Sequence, residues 1–158
     1  MKMHHSNVLR EYVKDVLAEI SLGTDARIKY TAFILDDDTR KLLLKYVPKD
    51  WKPQSHHMTI IDPPNQTLRL PTQWLDFAED TGQMKVVALA QNDKVVTGLV
   101  DLGGLPIPMK GPAFPHVTIA TKPGVGFSFM SNDFTEADFE GGDIPHIPLT
   151  GHIEEILR

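Results

Sequence analysis

The sequence predicts a single α+β domain, and three observations carry that expectation. Short β-branched and apolar runs alternate along the chain with a few helical repeats. Around Gln91-Asn92-Asp93 two such runs stand close enough to form a hairpin, which points to antiparallel pairing. The 158 residues suffice for one real core, and no linker of suitable composition separates the halves.

Taken in order, Ser6 can cap a helix to Ile20, with Val8, Leu9, Tyr12, Val13, Val16, Leu17 and Ile20 at helical spacing and Gly23 as its stop. Arg27 to Leu35 alternates as a strand, placing Ile28, Tyr30, Ala32 and Ile34 on one side. Asp36-Asp37-Asp38 opens a second helix that carries Leu42, Leu43 and Tyr46. A link with Pro48 and Pro53 leads to a strand at His57-Met58-Thr59-Ile60, which Pro63-Pro64-Asn65 ends. Residues 63–82 read as a long loop, with a short helix from Pro71 to Ala78 presenting Trp74 and Phe77. Met84–Ala90 and Val95–Val100 form the hairpin, and Gly103–Pro115 is loop. A strand at His116-Val117-Thr118-Ile119 follows. Pro123–Asn132 reads as loop, Asp133–Phe139 as a short helix and Pro148–Leu157 as a closing strand.

Composition narrows the chemistry. A hydrophobic fraction of 41% and a charged fraction of 23% suit a soluble domain, and no apolar run is long enough to span a bilayer. The N-terminus lacks the features of a secretory leader, so a cytoplasmic protein is expected. With no cysteine there is no disulfide, thiolate nucleophile or cysteine-bound zinc. A net charge of −5 argues against holding long nucleic acid non-specifically, though a small nucleotide or an RNA end in a locally basic pocket fits.

The two strands that begin with histidine share one pattern, His-apolar-Thr-apolar, and hold the chain's two His-x-Thr triplets. Alternation puts His57 and Thr59 on one strand face, and His116 and Thr118 on one face of the other. If the strands face each other, two imidazoles and two hydroxyls surround one cleft. Phosphodiester cleavage needs a base for the nucleophile and an acid for the leaving oxygen, and imidazole serves either role near neutral pH. The threonine hydroxyls can donate to phosphate oxygens as charge builds. The scheme requires no metal and no cofactor.

Each triplet alone reads as a strand with a polar exposed face; the matched pair favours function. Metal binding by some of the seven histidines is a rival, but adjacent His56 and His57 point to opposite strand faces and no His-Glu-x-x-His is present. His4 and His5 are left out of the site, and His56, His146 and His152 read as solvated or structural. Trp74 and Phe77 are either a hydrophobic cover or a base-stacking surface. Lys110 and Lys122, like Lys52 and Arg69, flank the motif strands as candidate phosphate contacts, each a plain surface charge when taken singly.

The triplets His57-Met58-Thr59 and His116-Val117-Thr118 resemble those of the 2H phosphoesterase superfamily. The resemblance implies a bilobal domain over residues 1–158, with two antiparallel sheets lining a central groove and helices outside. It also implies metal-independent action on cyclic phosphates or 2′-linked phosphodiesters. Tyr30-Thr31-Ala32-Phe33, His56-His57-Met58-Thr59 and Ser131-Asn132 resemble small phage-type members, some of them anti-CBASS enzymes that destroy cyclic oligonucleotide signals. An RNA-repair enzyme acting on 2′,3′-cyclic phosphate ends is the runner-up. A nucleotide-binding module without catalysis is the alternative from another class.

Overall fold

Which strand joins which sheet decides where the two motifs meet. The computed structural model describes residues 23–62, 68–75, 77–125, 131 and 133–158. The expected first helix, Pro63-Pro64-Asn65 and most of the Pro123–Asn132 loop lie outside the described residues. Gly23, expected as a helix stop, belongs to β1 (Gly23–Thr24).

β2 (Ile28–Leu35) shows the period of two that its sequence demands. Phe33 and Leu35 are buried in the large core, whereas Tyr30 and Ile34 are half-buried on the opposite face. Asp36 then caps α1 (Asp37–Leu43), accepting the Thr39 N–H at 3.0 Å, and Asp37 and Asp38 complement the helix dipole. Of the apolar row expected here, Leu43 is buried, Tyr46 is partly buried against the core and Leu42 is 48% exposed. A helix this short, followed by the 3₁₀ turn Leu44–Tyr46, buries one row of side chains.

β3 (Lys52–Pro53) and β4 (His57–Ile61) follow in close succession. The expected long loop contains β5 (Leu68–Arg69), which pairs with β1, and β6 (Ala78–Glu79). In place of a helix from Pro71 to Ala78 there is one 3₁₀ turn, Thr72–Trp74. Trp74 is drawn into the core, and the Phe77 carbonyl accepts the Ile153 N–H at 2.8 Å, so the backbone is committed to a sheet before a helix can continue.

The hairpin forms as β7 (Lys85–Gln91) and β8 (Val95–Asp101). Asn92 closes its turn: its N–H donates to the Val95 carbonyl, and its side-chain oxygen accepts from the N–H groups of Lys94 and Val95. β9 (His116–Thr121) carries the second motif. The helix expected over Asp133–Phe139 is a 3₁₀ turn, Glu136–Phe139, held by a Thr135–Asp138 capping box. The closing strand forms as β11 (Gly151–Leu157), and a strand that was not expected, β10 (Asp143–Pro148), precedes it. β10 occupies a sheet edge, where Pro145 and Pro148 cost no internal ladder bond.

All these strands pair antiparallel, in the orders β10-β7-β8-β9-β3 and β4-β2-β11-β6. The sheets do not follow the two halves of the chain. β3 precedes the first motif yet borders the second, and the last strand lies inside the first motif's sheet. One core spans both sheets, with Phe33, Met58 and Ile60 from one and Val86, Val96, Val117 and Ile119 from the other. Packing there is close enough that a Cβ on Gly98 would come within 2.8 Å of Val86 Cγ1. A smaller aromatic cluster of Phe114, Phe134 and Phe139 gathers with Val95 and Leu99. Among the described residues, no helix is long and apolar enough to cross a membrane.

Candidate active site

The motifs come together because the chain changes sheets immediately before the first of them. β3 pairs with β9, Lys52 opposite Thr121 and Pro53 opposite Ala120. The ladder continues as the Gln54 N–H donates to the Ile119 carbonyl at 2.8 Å, and the Ser55 hydroxyl reaches the same oxygen at 3.3 Å. The His56 carbonyl then accepts the Leu35 N–H at 3.0 Å, and from there the chain pairs with β2. The chain thus leaves β9 at Gln54 and Ser55 and begins β4 two residues later, with His57 at its first position. β4 and β9 remain neighbours without a shared ladder. The strands are therefore side by side rather than opposed. Met58 and Ile60, like Val117 and Ile119, enter the large core, and the motif side chains occupy the other face.

His57 is held by packing. Opposite Ile34 on β2, it stacks at a tilt against Tyr30, with ring centroids 5.4 Å apart. Ala32, fully buried, stands opposite Thr59. Burial, then the imidazoles of His56 and His116, push the His57 pKa down to about 4. His57 is accordingly neutral at pH 7.

His116 is held by a hydrogen bond. It is 9% exposed, and its Nδ1 lies 2.8 Å from the Phe114 carbonyl. A carbonyl only accepts, so Nδ1 carries the hydrogen and Nε2 is the nitrogen left for chemistry. The Phe114 ring packs on the imidazole at 5.0 Å, and Phe139 meets Phe114 edge to face at 5.5 Å. Burial lowers the His116 pKa, opposed by the bond to Phe114. Thr118 is half-buried, its hydroxyl 2.7 Å from that of Ser131, which lies 2.6 Å from the hydroxyl of Thr97 on β8.

The four motif residues thus share one region, and the other expected contacts divide. Trp74 is 7% exposed in the large core with Phe77 against it edge to face, so the pair is a hydrophobic cover, not an open stacking surface. The Trp74 Nε1–H is buried without a partner among the described residues. Lys110 is half-buried beside the end of β4, its N–H donating to the Ile60 carbonyl and its carbonyl accepting from Asp62. Lys122 is exposed at the far end of β9, where its N–H donates to the Lys94 carbonyl. Six residues of strand separate it from His116, about 20 Å. That is beyond the reach of one lysine side chain.

Sequence reasoning did not single out Phe114, Thr97 and Ser131 as site residues. Phe114 had a signal: it precedes His116 by two residues, the spacing that places side chains on one strand face. Ser131 entered only through the resemblance of Ser131-Asn132, with no role attached, and Thr97 had no signal. Among the described residues, no three His, Asp or Glu side chains gather as a metal-ligand group. Compared with protein-family models, curated proteins and solved structures, the chain matches none.

Proposed function

We propose that this chain is a metal-independent phosphodiesterase acting on a cyclic nucleotide, with a cyclic oligonucleotide signal as the favoured substrate. One observation carries the reading: His57 and His116, each with a threonine two residues on, occupy one face of two adjacent strands. That arrangement supplies a base, an acid and two hydroxyl donors for one phosphate.

Their surroundings assign the roles. His57, kept neutral by burial and packed against Tyr30, serves as the base. His116 donates through Nδ1 to the Phe114 carbonyl, which stabilises its imidazolium, so it delivers a proton from Nε2 as the acid. With a 3′–5′ cyclic oligonucleotide, His57 takes the proton of the adjacent 2′-hydroxyl, whose oxygen attacks phosphorus. The 5′-oxygen leaves with the proton from His116, giving a 2′,3′-cyclic phosphate end. Thr59 and Thr118 donate to the non-bridging oxygens.

The test is an EDTA-treated assay on 3′,3′-cyclic GMP–AMP, a cyclic triadenylate and uridine 2′,3′-cyclic phosphate, with products identified by mass. Turnover of a cyclic oligonucleotide, with resistance of its 2′-deoxy analogue, is expected. Turnover of the uridine compound alone makes the protein an RNA-end enzyme. Recovery of every compound unchanged, with a rise in melting temperature, makes it a binding module.

A further inference from the structure

We propose that the cavity between α1 and the link into β4 binds a small phosphate group, at a site separate from the motif face. Asp37, Arg40, Lys41 and Leu44 stand at positions i, i+3, i+4 and i+7, so they form one face of α1 and the turn that extends it. Thr39 and Leu43 are buried on the other side of the helix. The first face and residues 53–56 enclose a surface cavity of about 260 Å³. Sites for drug-sized ligands start at roughly 300 Å³, so this one fits a small anion or the end of a larger molecule. Neither His57 nor His116 lines it. His56 does, one residue before His57, where alternation directs its side chain away from the motif face.

Charge decides what the cavity takes. The Gln54 side chain donates to Thr121 Oγ1 at 3.0 Å and the Ser55 hydroxyl to the Ile119 carbonyl, so both are committed to β9. Arg40 and Lys41 supply the cations of the wall, and exposed Lys52 is close enough to act on His56. Burial, then the charges of Arg40 and Lys52, hold the His56 pKa below its ordinary value, which marks an excess of positive potential. The acid on the wall, Asp37, comes no nearer than 3.9 Å to Arg40, and its side chain is 90% exposed. A pair so solvated contributes little and leaves the guanidinium with N–H groups for a second oxyanion. A phosphate group has three outer oxygens, enough to engage Arg40, Lys41 and His56 together; a carboxylate has two.

The position matters to the fold. Residues 54–56 carry the chain from β9 to β2, so an anion held here braces the change of sheets that brings the two motifs together. The site stands without the catalytic reading, and its test needs no turnover.

The test is an NMR titration of the histidine ring protons in the full chain. Sodium phosphate is compared with sodium acetate and sodium chloride at matched ionic strength. Phosphate is expected to raise the His56 pKa saturably, with a much smaller rise in either control, because a bound anion favours imidazolium. Arg40→Gln is expected to raise the dissociation constant read at His56 about tenfold, the loss of one charge-assisted contact, while any response at His57 and His116 stays as in the wild type. Lys41→Gln, at an exposed position, should weaken binding likewise and decides the matter if Arg40→Gln does not fold. An equal response of His56 to acetate or chloride would overturn the inference, as would an undiminished response in a folded variant. A His56 response that follows His57 and His116 with one dissociation constant would place the anion on the motif face and overturn it too.

Discussion

β4 and β9 display the same His-x-Thr triplet and treat it differently. On β4, His57 rests against Tyr30 and is kept neutral by burial and by neighbouring imidazoles. On β9, the Phe114 carbonyl fixes the His116 tautomer, and the Ser131 hydroxyl lies 2.7 Å from that of Thr118. A base needs a free lone pair and a low barrier to reorientation. An acid needs a proton held at one nitrogen and a partner for the resulting charge. On the proposed reading, identical side chains are divided into roles by what lies behind them.

The severest test removes either ring. His57→Ala and His116→Ala are each expected to reduce kcat by at least about a thousandfold while unfolding remains cooperative. Steady-state turnover with melting curves checks both. A variant that retains wild-type turnover removes its strand from the chemistry and ends the comparison.

Phe139→Ala bears on β9 alone. The ring is fully buried against Phe114 and Phe134, and truncation is expected to cost about 3–5 kcal/mol in urea unfolding. In the protein that remains folded, kcat should fall, because the Phe114 support of His116 loosens. The His57 titration, followed by NMR, should not move. A shift at His57 equal to that at His116 would mean that the strands do not have separate supports.

The pH dependence sharpens the contrast. In the free protein, kcat/KM is expected to decline as pH falls toward 4, where His57 loses its lone pair, and to decline on the alkaline side at a pH lower than an ordinary imidazole would set, because burial lowers the His116 pKa. Both limbs are properties of the coupled pair. A bound phosphodiester anion favours imidazolium, so the kcat profile should lie at higher pH. Stability carries a matching signature. The unfolded chain protonates His57 near 6.5 and the folded protein near 4, so between these values the unfolded state binds more protons and stability falls with falling pH. His57→Gln should flatten that decline, as melting temperatures across pH 4–7 will show. An undiminished slope in the variant would place the titration elsewhere.

Local pattern made much of this legible. The alternation of His57, Met58, Thr59 and Ile60 fixed which side chains enter the core, and Asn92 marked the hairpin turn. The side-by-side placement was not legible, because it depends on the change of sheets between Gln54 and His56, and Pro53 and Ser55 mark a link there without marking which sheet each side joins. Trp74 stayed ambiguous for a similar reason. A tryptophan in a polar, proline-flanked segment looks available, but its burial is set by long-range packing. The missed strand β10 contains two prolines, which count against a strand until its edge position is known.

The smallest expected effects separate the two lysines, one beside each motif strand. Lys110 pairs through its backbone with the end of β4, two strand residues beyond Thr59 and so about 7 Å along the strand. A lysine there can place its ammonium near a phosphate held at Thr59, as a half-buried charge with modest energy. Lys110→Ala should raise KM by about threefold to tenfold with little change in kcat. Lys122→Ala should leave both constants unchanged, since its distance from His116 exceeds the reach of its side chain. Paired measurements at low and moderate salt check the distinction, because the Lys110 effect should shrink as salt screens it. Equal effects from both substitutions would indicate a general field on the substrate, with no lysine assigned to the β4 side.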